Sequence, residues 1–229
     1  MSNAPRSEYC AEPVVASKDR ARQCRAAAAA AARLVEPGMV VGLGTGSTVA
    51  YLLPLLASLD LSIRCVATSP QTGTAAMELG LPVEPFGTID RFDITIDGAD
   101  QIAPDGWLVK GGGAAHTREK IIAANSDRFV VIADATKAVE AIHAPIPVEI
   151  LPFGAAATRR RLTPLVMRDV PASPDGGLIA DYHGDVHDPA TTAARLSATP
   201  GVIEHGLFPP DLVTEIIIGD RKMVRYLRP

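Results

Sequence analysis

Residues Met39–Leu59 read MVVGLGTGSTVAYLLPLLASL: an apolar strand, a loop of Gly, Thr and Ser, then an aliphatic helix. A short β-rich run that ends in glycines and reopens as a helix is the first half of a strand–helix–strand unit, whose next strand lies parallel to the first. Working outward, the alternation recurs. SIRCVATS (62–69) is a strand, PQTGTAAMELG (70–80) a helix, and LPVEPF (81–86), RFDITIDGA (91–99) and GWLVK (106–110) are further strands. AAHTREKIIAANS (114–126) is a helix and RFVVIADAT (128–136) a strand. Upstream, SKDRARQCRAAAAAAARLV (17–35) has its charges early, seven alanines at 26–32 and a Pro37-Gly38 stop, so it reads as a helix; propensity and close packing explain the alanines. The expected class is α/β, a Rossmann-like, mostly parallel sheet flanked by helices.

After His143 the texture changes. Residues 144–170 and 175–202 read strand, helix, strand, turn, strand, helix, a series that suits a second, smaller antiparallel α+β (ferredoxin-like) domain. The expected division is 1–143 with 205–229 as the catalytic domain and 144–204 as the small one. VTEIIIGDRKMVRYLRP (213–229) returns a last apolar strand to the first sheet.

Composition narrows the function classes. With 229 residues and 47% hydrophobic content the chain builds a sizeable core without staples. A net charge of -4 with no Lys/Arg stripe argues against a nucleic-acid partner. No apolar run approaches the roughly 18 residues of a membrane span. The start lacks a basic-then-apolar signal pattern, and residues up to about Pro13 are expected to be loosely ordered. Cys10, Cys24 and Cys65 form no C-x-x-C pair, which fits a reduced, cytoplasmic protein without a thiolate metal site.

In open α/β sheets ligands sit beyond the carboxyl ends of the strands. Just after the strands come Gly44–Thr48, Thr68-Ser69, Asp97–Asp100, Lys110–Gly113 and Asp134–Lys137, so every polar cluster falls at one edge. The loop GLGTGST (42–48) fails the dinucleotide fingerprint: in one register Ser47, in the other Val49, stands at the third glycine. It has no Walker lysine either. Its backbone N–H groups and the Thr45, Ser47 and Thr48 hydroxyls suit a single phosphate at a helix N-terminus, although a plain strand-to-helix turn needs no more.

Asp97 and Asp100 flank a turn, a role Asp and Gly fill without any ligand. Lys110 before three glycines is harder to dismiss, because consecutive glycines cost conformational entropy and are usually justified by close backbone approach. Glu119 lies in the second turn of the following helix. Its neighbours Arg118 and Lys120, about 100° to either side, point elsewhere and leave it free to face the ligand edge as a base. Lys137 closes its strand as a counter-charge for an anion. His116 shares the helix with Glu119 and reads as a partly buried histidine. His183 and His187 have strand-like spacing, which sends them to one face of a small-domain strand without a metal site.

GLGTGST (42–48), TSPQT (68–72), DITIDGADQI (93–102), LVKGGGAAHTREK (108–120), VVIADATK (130–137), PIPVEILPF (145–153) and GVIEHGLF (201–208) together resemble the A-type ribose-5-phosphate isomerase family. The resemblance runs from about Lys18 to the C-terminus. It implies interconversion of ribose 5-phosphate and ribulose 5-phosphate in the pentose phosphate pathway, without cofactor or metal, by a cytoplasmic homodimer. It also implies Glu119 as catalytic base, Lys110 as the charge-stabilising lysine, and Asp97 and Asp100 beside them. Substrate contacts would come from Thr45, Gly46, Ser47 and Thr48, from Asp97, Gly98, Ala99 and Asp100, from Lys110, Gly111, Gly112 and Gly113, and from Lys137. Four positions depart from the family's habit. Gln101 replaces a common Glu, His116 stands where an apolar residue is frequent, SPDGG (173–177) replaces an acidic Asn-Gly-Asn turn, and an N-terminal lysine gives way at Cys24-Arg25, leaving Arg25 as candidate substitute.

Such an isomerisation moves a proton between C1 and C2 through an enediolate, so it needs a base that returns the proton and donors around the oxyanion. The competing reading is a sugar-phosphate-sensing domain of the same architecture, which binds without turnover. Against it, the chain has no basic helix-turn-helix segment.

Overall fold

The computed structural model describes residues 14–87, 89–220 and 224–227, with side chains from residue 18 onward. The expectation of loose order up to Pro13 lies outside the described residues. The chain opens with α1 (Val14–Ala32) and continues through β1 (Val40–Leu43), α2 (Val49–Ser58), β2 (Arg64–Ala67), α3 (Pro70–Glu78) and β3 (Ile94–Asp97). Two short strands, β4 (Gln101–Ile102) and β5 (Leu108–Val109), precede α4 (His116–Ala124) and β6 (Phe129–Asp134). Then come β7 (Ile146–Ile150), α5 (Ala155–Arg161), β8 (Leu165–Met167), β9 (Leu178–Tyr182), α6 (Pro189–Ser197) and β10 (Val202–His205). The last strands are β11 (Leu207–Phe208), β12 (Glu215–Gly219) and β13 (Val224–Leu227).

The main sheet has the order β13-β12-β6-β3-β1-β2, parallel throughout except for β13, which runs antiparallel to β12. β1 leads to β2 on one side while β3 lies on the other, so the order reverses between β1 and β3 and opens a crevice at their carboxyl ends. The central strands β3, β6 and β12 are buried on both faces, hence their near-continuous aliphatic character. α1 packs on β6 and β12 through Ala27, Ala28 and Ala31, each fully buried, and these small side chains let the helix lie close to the sheet.

Residues 146–205 form a four-stranded antiparallel sheet in the order β10-β7-β9-β8 with two helices, the ferredoxin-like arrangement. Its fourth strand, β10, was absent from the sequence-based series. Other differences have local causes. LPVEPF is no strand: Val83 makes a single bridge to Cys65, because Pro82 and Pro85 on either side have no N–H to extend a ladder. The strand expected over GWLVK shrinks to Leu108–Val109 and leaves the parallel sheet, joining β4 and β11 in a three-stranded antiparallel one. β9 stops at Tyr182, so His183 and His187 stand exposed in the loop beyond it rather than on one strand face.

Candidate active site

The strand ends bring the charged residues together. β3 terminates in Asp97, whose fully buried carboxylate turns back toward β1: Oδ1 accepts hydrogen bonds from the N–H groups of Thr45 (3.0 Å) and Gly98 (2.7 Å). Gly44 makes this approach feasible, since a Cβ there would occupy the space of the Asp97 carboxylate. Lys110 enters from the end of β5, only 2% exposed, its N–H bonded to Gly206 O at 2.8 Å. Its Nζ lies 2.5 Å from Gly98 O, 2.9 Å from Asp97 Oδ2 and 3.3 Å from Glu119 Oε2. Asp100 ties the aspartate turn to the glycine loop by accepting from Gly112 N at 2.7 Å.

Glu119 is 3% exposed. α4 begins at His116, two residues later than the sequence suggested, so Glu119 sits in the helix's first turn rather than its second. Its neighbours do point away: Arg118 pairs with Asp175 at 2.6 Å and Lys120 with Glu204 at 2.7 Å.

Two carboxylates and one ammonium share this buried space. Burial, then the neighbouring Asp97 charge, pushes the Glu119 carboxyl up to about 8 against the pull of Lys110. Burial also pushes the Asp97 carboxyl up, but Lys110 and the N–H groups of Gly98 and Thr45 pull it back. Glu119 has no such backbone donors. Burial draws the Lys110 ammonium down, and Asp97 and Glu119 together outweigh it, so the ammonium stays charged.

A hollow of about 70 Å³ opens over this triad, lined by Thr45–Thr48, Gly98–Asp100, Lys110–Gly113, Glu119 and Lys137. Of the catalytic and substrate-contact residues that the resemblance implied, from Thr45 to Lys137, only Asp97 lies behind the wall rather than on it. The loop's hydroxyls divide. Thr45 Oγ1 is engaged with Thr68 Oγ1 at 2.7 Å and Thr48 Oγ1 with Cys24 Sγ at 3.5 Å, while Ser47 is exposed at the N-terminus of α2. Lys137 ends a single 3-10 turn after β6 rather than the strand itself, and with Asp100 and Gly112 it also lines an adjoining cavity of about 500 Å³.

Arg20 and Arg168 line that second cavity, and neither was picked out from the sequence. Arg20 Nε lies 3.2 Å from Asp134 Oδ2, where bonds from Thr136 and the Arg20 charge overcome burial and hold the Asp134 carboxyl below its usual range. Arg20, one helical turn before buried Cys24, meets the same Asp134 oxygen as the Cys24 thiol does. Arg25 instead lies over the Tyr51 ring, 5.4 Å from its centroid. Helical spacing from Cys24 was the available signal. Arg168 donates to Gly111 O at 2.8 Å and grips Asp181 with both arms, a contact no local pattern announces.

Two departures find explanations. Gln101 donates to His143 O (2.8 Å) and accepts from His143 N (3.0 Å), a reciprocal pair that an ionised glutamate could not make. His116 is fully buried with Nε2 3.4 Å from Glu204 O; burial and then Lys120 push it down to about 3, so it is neutral. A larger groove of about 800 Å³ runs behind α4 among Val66, Met77, Phe86 and Ile121, away from Lys110 and Glu119.

Residues 64–223 match the family model described as ribose 5-phosphate isomerase A (phosphoriboisomerase A). A ribose-5-phosphate isomerase A from Caulobacter vibrioides is 43% identical, the alignment covering 90% of this chain and 98% of that protein. Among solved structures, ribose 5 phosphate isomerase A from Neisseria gonorrhoeae superposes with a TM-score of 0.87 at 30% identity, covering 92% of this chain and 97% of the other. A D-ribose-5-phosphate isomerase solved in complex with phospho-erythronic acid gives 0.85 at 33% identity, covering 90% and 97%.

Proposed function

This chain belongs to the ribose 5-phosphate isomerase A family, whose reaction interconverts D-ribose 5-phosphate and D-ribulose 5-phosphate, and we propose that the hollow over Lys110 and Glu119 is where it performs that reaction. The observation that carries the assignment is the Glu119 carboxyl, buried 3.3 Å from Lys110 on the wall of the hollow and pushed up to about 8. A carboxylate with so high a pKa is a far stronger base than an ordinary one and readily gives its proton back. In this reading Glu119 removes the proton from C2 of the open-chain aldose and returns it at C1. The Lys110 ammonium faces the enediolate oxygen, with Asp97 holding that ammonium in place. Asp100 passes protons between hydroxyls, and the Gly111–Gly113 backbone supplies fixed dipoles.

The phosphate end is assigned to the Ser47 hydroxyl, the first N–H groups of α2 and Lys137, with Arg20 beside them in the adjoining cavity. The phospho-erythronic acid bound by the related isomerase supports a sugar phosphate as ligand. Asp97, Lys110 and Glu119 together favour turnover over the sensing-domain alternative. We place the catalytic unit in residues 1–143 with 205–229 and the small domain in 144–204. A homodimer is supported by the exposed side chains of Leu151 (47%) and Phe153 (92%) beside the small sheet. No helix among the described residues is long and apolar enough to cross a membrane.

The test is ribulose 5-phosphate formation by the purified protein as a function of pH. The expected log(kcat/KM) rises with unit slope and levels near pH 8, where free Glu119 ionises. Asp97→Asn removes the negative neighbour that raises Glu119, so the rising limb moves to lower pH even as activity falls. A profile levelling near pH 4.5, the ordinary glutamate value, would contradict the assignment.

A further inference from the structure

α4 is a short helix that carries Glu119 in its first turn, yet its N-cap, Ala115, offers no side-chain cap. Something else must hold that turn. Thr117, two residues before Glu119, donates its hydroxyl to Glu149 Oε2 on β7 of the small sheet. Glu149 is 1% exposed, and its other oxygen accepts from the Ser173 hydroxyl. Ser173 Oγ in turn accepts from the N–H groups of Gly177 (3.0 Å) and Asp175 (3.2 Å), which shapes the turn 173–177. Gly177 is required there, since a Cβ would meet the Glu149 carboxylate. The same turn presents Asp175, whose two oxygens grip Arg118 Nε and Nη2 at 2.6 and 2.8 Å. A closed ring results: Glu149 to Thr117, Arg118 to Asp175, Ser173 back to Glu149.

We propose that Glu149 and the Ser173–Gly177 turn form a positioning clamp that sets the rotation of α4, and so the distance of Glu119 from the substrate carbon. None of these groups lines the 70 Å³ hollow, so they act through Thr117 and Arg118 rather than on the substrate. The small domain thereby serves catalysis by fixing a helix of its neighbour from one side, while Glu204 and His205 on β10 hold Lys120 from the other. The inference rests on Glu119 being the base.

The test compares Thr117→Val, which is nearly isosteric but has no hydroxyl, with Thr117→Ser, which keeps one. A misplaced reacting group costs up to about 100-fold per ångström. Thr117→Val is expected to lower kcat by about 10-fold with little change in KM, and Thr117→Ser to restore turnover. Glu149→Leu, which has no acceptor for the Thr117 hydroxyl, should give the same kcat-selective loss, and the Thr117→Val/Glu149→Leu double variant little loss beyond that of Glu149→Leu alone, because both remove one contact. Should Thr117→Val fail to fold, Asp175→Asn at the half-exposed end of the ring keeps the fold and shows a smaller loss confined to kcat. Equal turnover in Thr117→Val and wild type, equal losses in the Val and Ser variants, losses that multiply in the double variant, or a change confined to KM would each overturn the clamp. Glu119→Gln run in parallel separates the two ideas: if it is inactive while Thr117→Val is normal, the clamp alone falls; if it is active, the base assignment falls and the clamp with it.

Discussion

Glu119→Gln is expected to lower kcat by about a thousandfold, the middle-to-upper range for loss of a positioned general base, while KM changes little. The amide fills the same volume and still faces Lys110, so the hollow and its phosphate end are kept. Only the group that takes and returns the carbon-bound proton is gone. The same substitution should stabilise the fold. A carboxyl at about 8 in the folded chain and 4.5 when unfolded binds more protons folded than unfolded between those values. Its contribution therefore favours the folded state below pH 4.5 and is lost as pH rises through about 8, leaving an ionised carboxylate that burial opposes. A neutral amide escapes that loss. Thermal unfolding should show Glu119→Gln melting several degrees above wild type at pH 8.5, with the gap closing toward pH 5. Faster unfolding of the variant at alkaline pH would mean that Glu119 is better solvated than its 3% exposure implies.

Lys110→Met should be the more damaging change overall. Its ammonium is the only cation within ion-pair distance of Asp97 and Glu119 among the described residues, so its loss leaves two buried carboxylates facing each other. Breaking a buried pair from one side costs about 3–5 kcal/mol, far more than the removed lysine contributes in net terms. The variant should melt well below wild type at pH 8 and recover part of the difference at pH 5, where Glu119 takes up a proton. Activity should fall by about 100- to 1,000-fold at temperatures where the variant is folded, because the developing oxyanion loses its charged donor. Full activity in a folded Lys110→Met protein would remove the lysine from the mechanism. Circular dichroism melts beside initial rates distinguish the two effects.

Much of this was legible from residue order. The glycine loop after β1, the aspartates after β3 and the lysine before Gly111–Gly113 could be assigned to one edge because a parallel sheet places all strand ends together. The residues that organise the site from a distance were not legible. Arg168 reaches Gly111 O, and Glu149 reaches Thr117, across gaps of 57 and 32 positions, so neither contact leaves a local pattern. Short strands failed for a related reason. Leu108–Val109 belongs to a sheet built with Gln101–Ile102 and Leu207–Phe208, and two-residue ladders have no periodicity to read. LPVEPF misled because its apolar alternation is strand-like, while its prolines remove the donors a strand needs.

Isotope exchange at carbon addresses the role of Glu119 most directly. Ribose 5-phosphate is equilibrated with the enzyme in D2O, and deuterium at C2 of the aldose and C1 of the ketose is followed by NMR. Wild type is expected to introduce deuterium at both carbons, and Glu119→Gln at equal concentration to introduce it slower by the same factor as its loss in kcat. Exchange at the wild-type rate in Glu119→Gln would contradict proton transfer by Glu119.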